Sequence, residues 1–218
     1  MRNLMVLTLS LSLTAASLAD GWLLKAPYEA NTRLTWNVTI NASVGGQDME
    51  SKMKQFLSID SKTGQQFRGK VGWADLQING GSSPDEPPAW NITLNSNGSI
   101  ASAGDGPEFV RQLAPTTFLY PDKEVKAGDK WSVKFRVGKD TKEIAADYEV
   151  VEQTKIGEAD ALKIKGKLNE DGGLQSDGVY WLGKDGKVLR FEIDVKNWPV
   201  VGAGIPPLDA KIRGELVK

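Results

Sequence analysis

Glu192 and Asp194 are the two residues whose types and spacing come closest to known catalytic chemistry. They stand at i and i+2 with Arg190 in line, so on an extended strand they share one face about 7 Å apart. Two carboxylates about 5–9 Å apart beside aromatic platforms are the machinery of glycoside hydrolysis. The same spacing arises on any solvated strand face that carries an ion-pair ladder. The ladder is the reading favoured here, and the chain is not expected to be an enzyme. A carboxylate glycosidase or a carbohydrate binder with Trp platforms stays open as an alternative.

Composition closes most other routes. The chain of 218 residues contains no Cys and no His. Ser-His-Asp and Cys-His nucleophiles are therefore impossible, as are the common zinc, haem and iron–sulfur ligand sets. No cofactor is expected. A formal charge of −1 argues against nucleic acid, which needs a basic surface. Asn169-Glu170-Asp171-Gly172-Gly173 gathers oxygen ligands beside glycines but lacks the spacing of an EF-hand loop. It reads as a wet hairpin turn.

Candidate binding residues come from apolar groups in unusual places. In the stretch Val179–Phe191, Trp181 alternates onto the face opposite Tyr180 and beside Arg190. It either stacks on that guanidinium, a contact of about 0.5–1 kcal/mol, or lines a ligand groove. Trp198, Val200 and Ile205 belong to a long Pro/Gly segment, Asn197–Leu208, whose large apolar residues must cover something or meet a partner. A lid over the end of the sheet core is the plainer reading, and the lip of an apolar pocket or a membrane contact is the alternative. Trp181, Arg190, Trp198, Val200 and Ile205 are thus the candidate ligand residues. The other Pro-rich loop, Ser82–Pro88, carries Asp85 and Glu86 and reads as a solvated connection.

The elements that must position these residues are strands. Leu34, Trp36, Val38 and Ile40 alternate with Thr35, Asn37, Thr39 and Asn41, the pattern of a strand with one wet face. Trp131–Val137, Leu162–Leu168, Leu189–Lys196 and Ala210–Leu216 repeat it, and weaker strands cover about 49–59, 65–79, 90–94, 99–103 and 143–153. Gly45-Gly46, Gly80-Gly81, Asn97-Gly98, Gly128-Asp129, Gly172-Gly173 and Asp185-Gly186 mark tight turns. Asp185-Gly186 suits a two-residue type I′ loop, with Leu182 facing Leu189 and Tyr180 facing Phe191. One helix is expected over 107–113, with Pro107 at its first position.

Two blocks look alike. Trp36-Asn37-Val38 and Trp131-Ser132-Val133 each open one, and Trp90 and Trp181 each precede a tight Gly turn. The expected fold is all-β and mainly antiparallel. It is a curved sheet, half-barrel or sandwich of two similar tandem units, 20–114 and 115–218, with the helix as the joint. They could form one continuous domain. In the second unit, pairing of Glu149 with Lys165 and Asp147 with Lys167 would set the register, each pair adding about 0.2–1 kcal/mol.

The segment Tyr120-Pro121 through Val125-Lys126-Ala127-Gly128-Asp129-Lys130-Trp131 resembles a recurrent stretch of exported bacterial proteins of unknown function. Tyr180–Val188 is similar to hairpins of periplasmic lipoprotein carriers, whose curved antiparallel sheet holds acyl chains in a hollow. That resemblance implies a lipid or other apolar ligand. The carriers close the hollow with several helices, whereas one is expected here.

Residues 1–19 read as a secretory signal. A positive start at Arg2 precedes an apolar run from Leu4 to Ala16, and Ser17-Leu18-Ala19 offers small residues before Asp20. The expected location is periplasmic or extracellular, with no lipid anchor and no transmembrane segment in the mature chain. Four N-x-S/T triplets, at Asn37, Asn41, Asn91 and Asn97, follow from strand alternation and are not read as glycan sites. The expected activity is non-enzymatic binding of an apolar or amphipathic molecule, or of an envelope protein, on the curved sheet. A purely structural or interaction module is the alternative.

Overall fold

The computed structural model describes residues 21–82, 89–104, 106–137, 141–200 and 204–217. The expected signal segment, residues 83–88 of the acidic Pro-rich loop and residues 201–203 of the Asn197–Leu208 segment lie outside the described residues.

Alternation becomes antiparallel structure throughout. The strands are β1 (Trp22–Leu24), β2 (Thr32–Val44), β3 (Gln47–Thr63), β4 (Gln66–Ile78), β5 (Gly81–Ser82), β6 (Ala89–Asn95) and β7 (Ile100–Ser102). After helix α1 (Pro107–Gln112) and a 3-10 turn (Ala114–Thr116) come β8 (Lys123–Val125), β9 (Lys130–Phe135), β10 (Ile144–Ile156), β11 (Ala159–Glu170), β12 (Gln175–Gly183), β13 (Val188–Trp198) and β14 (Leu208–Leu216). The helix begins at Pro107 as expected and tightens into the 3-10 turn at Ala114. β1 and β8 form a small separate pair, while one continuous sheet runs β7-β6-β4-β3-β2-β14-β13-β12-β11-β10-β9.

The order carries a topological consequence. β2-β3-β4-β6-β7 and β9-β10-β11-β12-β13 are two five-strand meanders that cross the sheet in the same sense, with β14 between β2 and β13. The first meander ends at one edge of the sheet and the second begins at the other. The linker between β7 and β9 must therefore traverse the whole sheet. It does so over the inner face, and its residues touch strands of both meanders, so the sheet curves around it. Trp90 and Trp181, matched between the blocks by sequence, lie on opposite faces: Trp90 stacks on Phe109 of α1 at 4.7 Å, and Trp181 pairs with Arg190 outside.

The inner face is mainly apolar. One row runs Val150, Ile164, Tyr180, Phe191, Gly214, Val38 and Met53 across seven strands. The outer face is polar in the same order and charged at every position but Asn41: Asp147, Lys167, Asp177, Asp194, Lys211, Asn41 and Glu50. Slipping any strand by one residue would exchange the two sets, which is what holds the register. The expected pairs Glu149↔Lys165 and Asp147↔Lys167 are present, with the turn at Gly157-Glu158.

The β12–β13 hairpin departs from expectation. Tyr180 opposes Phe191 and Trp181 opposes Arg190, but Leu182 opposes Val188 and not Leu189. The turn closes with Gly186 N–H on Gly183 O at 3.0 Å and Gly183 N–H on Lys187 O at 2.9 Å. Only Gly186, at φ 79°, takes the left-handed region, so Asp185-Gly186 is not a type I′ pair. The loop has three residues and closes on a glycine bulge at Gly186. A second irregularity, with Leu189 as the extra residue opposite Trp181/Leu182, shifts the register by one so that Tyr180 still meets Phe191. Asp185 instead caps the turn, accepting from Lys187 N–H at 3.1 Å.

Candidate functional site

The linker that crosses the inner face is a plug, and polar tips of core aromatics hold its backbone. Trp198 Nε1 donates to Gln112 O at 2.9 Å, Tyr180 Oη to Pro115 O at 2.6 Å, and Trp131 Nε1 to Leu119 O at 3.0 Å. Leu119 N–H donates to Tyr148 Oη at 3.3 Å. Backbone groups that leave regular structure inside a core need such partners, and Trp and Tyr supply them at the end of a large apolar body. Gly166 makes room for this: a Cβ there would sit 2.7 Å from the Tyr180 ring and 3.0 Å from Tyr148.

A buried ion pair anchors the helix of the plug. Glu170, 1% exposed, receives Arg111 Nε at 2.9 Å on one oxygen, and the other oxygen takes Arg111 Nη2 and Leu174 N–H. Burial disfavours the charged guanidinium, yet the hydrogen bonds and charges of Glu170 and Glu108 outweigh it and hold the Arg111 pKa above its ordinary value. This corrects the sequence expectation of a wet turn at 169–173. Glu170 ends β11 and points inward, and Asp171 is left outside. Glu170 continues the inward phase of Leu162, Ile164, Gly166 and Leu168 in β11, an acid where the alternation calls for an apolar group, and Arg111, 59 residues away, supplies its partner.

The ties are unequal on the two sides. Trp131, Tyr148, Tyr180, Trp198 and Glu170 all belong to the second meander. Toward the first meander, Gln55 Nε2 bonds Thr116 Oγ1 at 2.9 Å and Tyr120 N–H reaches Asn97 O at 2.8 Å. Elsewhere the plug meets β3, β4 and β6 through apolar side chains. A cavity of about 60 Å³ lies along that seam, with Leu57, Val71, Ile92 and Leu94 on the sheet side and Val110 and Leu113 on the plug side. No Asp, Glu, Lys or Arg lines it.

All four tyrosines face this enclosed interior. Burial pushes the hydroxyls of Tyr28, Tyr120, Tyr148 and Tyr180 above the ordinary value of 10.0. A raised folded-state pKa favours the neutral phenol, so its stabilising contribution is complete below the unfolded value of about 10 and lost as pH climbs through the folded values. Alkaline titration followed by phenolate absorbance is expected to show no tyrosinate ahead of unfolding. Phenolate appearing near the ordinary value in the folded protein would contradict that enclosure.

The residues singled out by sequence do not converge. Trp181 and Arg190 sit on the outer face, the guanidinium 5.2 Å from the ring centre, so the expected stacking is present. Arg190 also bonds Glu192 and lies 3.8 Å from Glu215, while Asp194 approaches Lys211 at 3.9 Å. The Glu192/Asp194 pair is thus engaged in the charge ladder. Trp198 is buried at 7% exposure, and Val200 and Ile205 are half-buried against the core. The residues of the seam escaped sequence reading because each looks like an ordinary inward strand position. Gln55 was the available signal: a polar residue in the inward phase of β3 between Met53 and Leu57.

No protein-family model and no curated protein matches the chain. Among solved structures it is similar to a protein described as exported, with a YmcC-like fold, from Bacteroides fragilis. That match is at 8% identity over 91% of this chain and all of the other, with a TM-score of 0.35. It is also similar to DynF of the dynemicin biosynthesis pathway of Micromonospora chersina, at 12% identity over 93% of this chain and 85% of the other, with a TM-score of 0.26. At those scores neither likeness bears on what this chain does. Among the described residues, no helix is long and apolar enough to cross a membrane.

Proposed function

We propose that this protein is exported and holds a small apolar or amphipathic molecule inside its curved sheet, without catalysing a reaction on it. The observation that carries the reading is the seam cavity, apolar and free of charged side chains, between the plug and the first meander. Binding sites for small molecules are concave, mostly apolar and sparsely polar, and the seam shares that lining at a much smaller volume, about 60 Å³. The grooves of the outer face are lined by charged side chains such as Asp194 and Lys211, which suit an apolar molecule poorly. Export rests on the first nineteen residues.

A second reading, a structural or interaction module with no small ligand, draws on the plug itself, which already fills most of the hollow. Native mass spectrometry of protein purified gently from its own cell envelope separates the two. A co-purifying apolar molecule supports carriage. Bare protein from repeated gentle preparations supports the structural module.

A further inference from the structure

We infer that the seam between plug and first meander takes an uncharged single-chain amphiphile, its hydroxyl or ester head on Gln55 and its tail along Ile92 and Leu94. This rests on the apolar-ligand reading above and adds the chemistry and place of binding.

Gln55 supplies the polar end. It is 7% exposed, lines the cavity, and bonds through its side chain to Thr116 alone among the described residues. A glutamine amide has two N–H donors and a carbonyl with two lone pairs, and a single hydroxyl cannot occupy them all. Buried amide capacity left over is costly unless something meets it. A ligand hydroxyl or carbonyl would meet it.

Charge decides the head group. With no cationic side chain on the walls, a carboxylate or phosphate drawn into the seam would lose its water with no compensation. An alcohol or ester pays no such penalty. Entry follows from the unequal ties. The present space, about 60 Å³, holds only a few atoms, so a chain must part the plug from one side of the sheet. The second meander grips the plug through Trp131, Tyr148, Tyr180, Trp198 and Glu170, whereas β3, β4 and β6 mostly rest on it. The first meander is the side that yields.

The test compares 1-monodecanoylglycerol with decanoate at mildly alkaline pH, by calorimetric titration of the mature chain and of Gln55→Leu and Ile92→Trp. Near-UV circular dichroism checks that each variant keeps its packing. The glyceride is expected to bind the parent at least about tenfold more tightly than decanoate, a gap of about 1.4 kcal/mol. Gln55→Leu should erase that preference, and Ile92→Trp should abolish binding of both by filling the seam. Equal or tighter binding of decanoate, or glyceride binding that neither substitution changes, overturns the inference. So does absence of glyceride binding to a protein that carries an apolar molecule from the envelope, an outcome that leaves the proposed function standing.

Discussion

Replacing Glu170 with Met is expected to destabilise the protein by about 3–5 kcal/mol, because it leaves Arg111 with only the exposed Glu108 as a partner and Leu174 N–H without its acceptor. The guanidinium is 18% exposed and can recover some water, which places the expected loss toward the lower end. Removing both charges tells a different story. Arg111→Met/Glu170→Met leaves no buried ion, and apolar replacements of a buried pair are often neutral or better. Urea denaturation is therefore expected to show the double variant losing far less stability than the sum of the two single variants. A Glu170→Met loss below about 1 kcal/mol would mean that the pair does not anchor the helix of the plug. The expectation is structural and holds whether or not a ligand binds.

Phe118→Ala is the second large effect, expected at about 3–5 kcal/mol. Phe118 is 3% exposed in the middle of the plug. Its ring centre lies 4.8 Å from Tyr148, 5.0 Å from Tyr120, 5.4 Å from Tyr180 and 6.0 Å from Trp131. Truncation opens a void that the surrounding rings fill poorly, since Tyr148, Tyr180 and Trp131 are each tethered to the plug backbone by their polar ends. Near-UV circular dichroism should lose intensity with little change in the far-UV signal, because the strand ladders do not depend on this ring. Phe118 also lines the seam, so the variant should admit a longer apolar chain than the parent does. Unchanged stability would show that the plug is loosely seated.

The two expectations share a cause in the chain path. A linker that joins opposite edges of one sheet has to cross a face, and the inner face is the one where its apolar residues are sheltered from water. The hollow suggested by the resemblance to lipoprotein carriers is consequently occupied by the protein's own residues 106–120, held on one side by hydrogen bonds and on the other chiefly by apolar contact. That inequality gives the seam its position. Of the candidate residues on the Pro/Gly segment, which the sequence offered as a lid over the core or as a pocket lip, Trp198 reaches the plug through Gln112 O as a tether within the core.

Local alternation was enough to place most strands of the large sheet with their wet and dry faces, though not the short β1 and β8. The charge pairs set the register of β10 against β11 up to the shift after Val150, since a slip of one residue would bury Glu149 and expose Tyr148. The position of the helix at Pro107 was equally local. Turn geometry was only partly so: Gly186 was placed correctly, but the third loop residue and the shift at Trp181/Leu182 that offsets it were not. Tertiary structure alone decided that the two meanders join through β14 into one sheet, that the inward Glu170 meets a cation, and that the seam lies beside Gln55. Each of these depends on a partner distant along the chain: Arg111 for Glu170, Thr116 for Gln55, β2 for β14. Alternation says which side of a strand avoids water. It carries no information on which distant segment will arrive to cover that side, because many apolar surfaces could do so and only the folded path selects one.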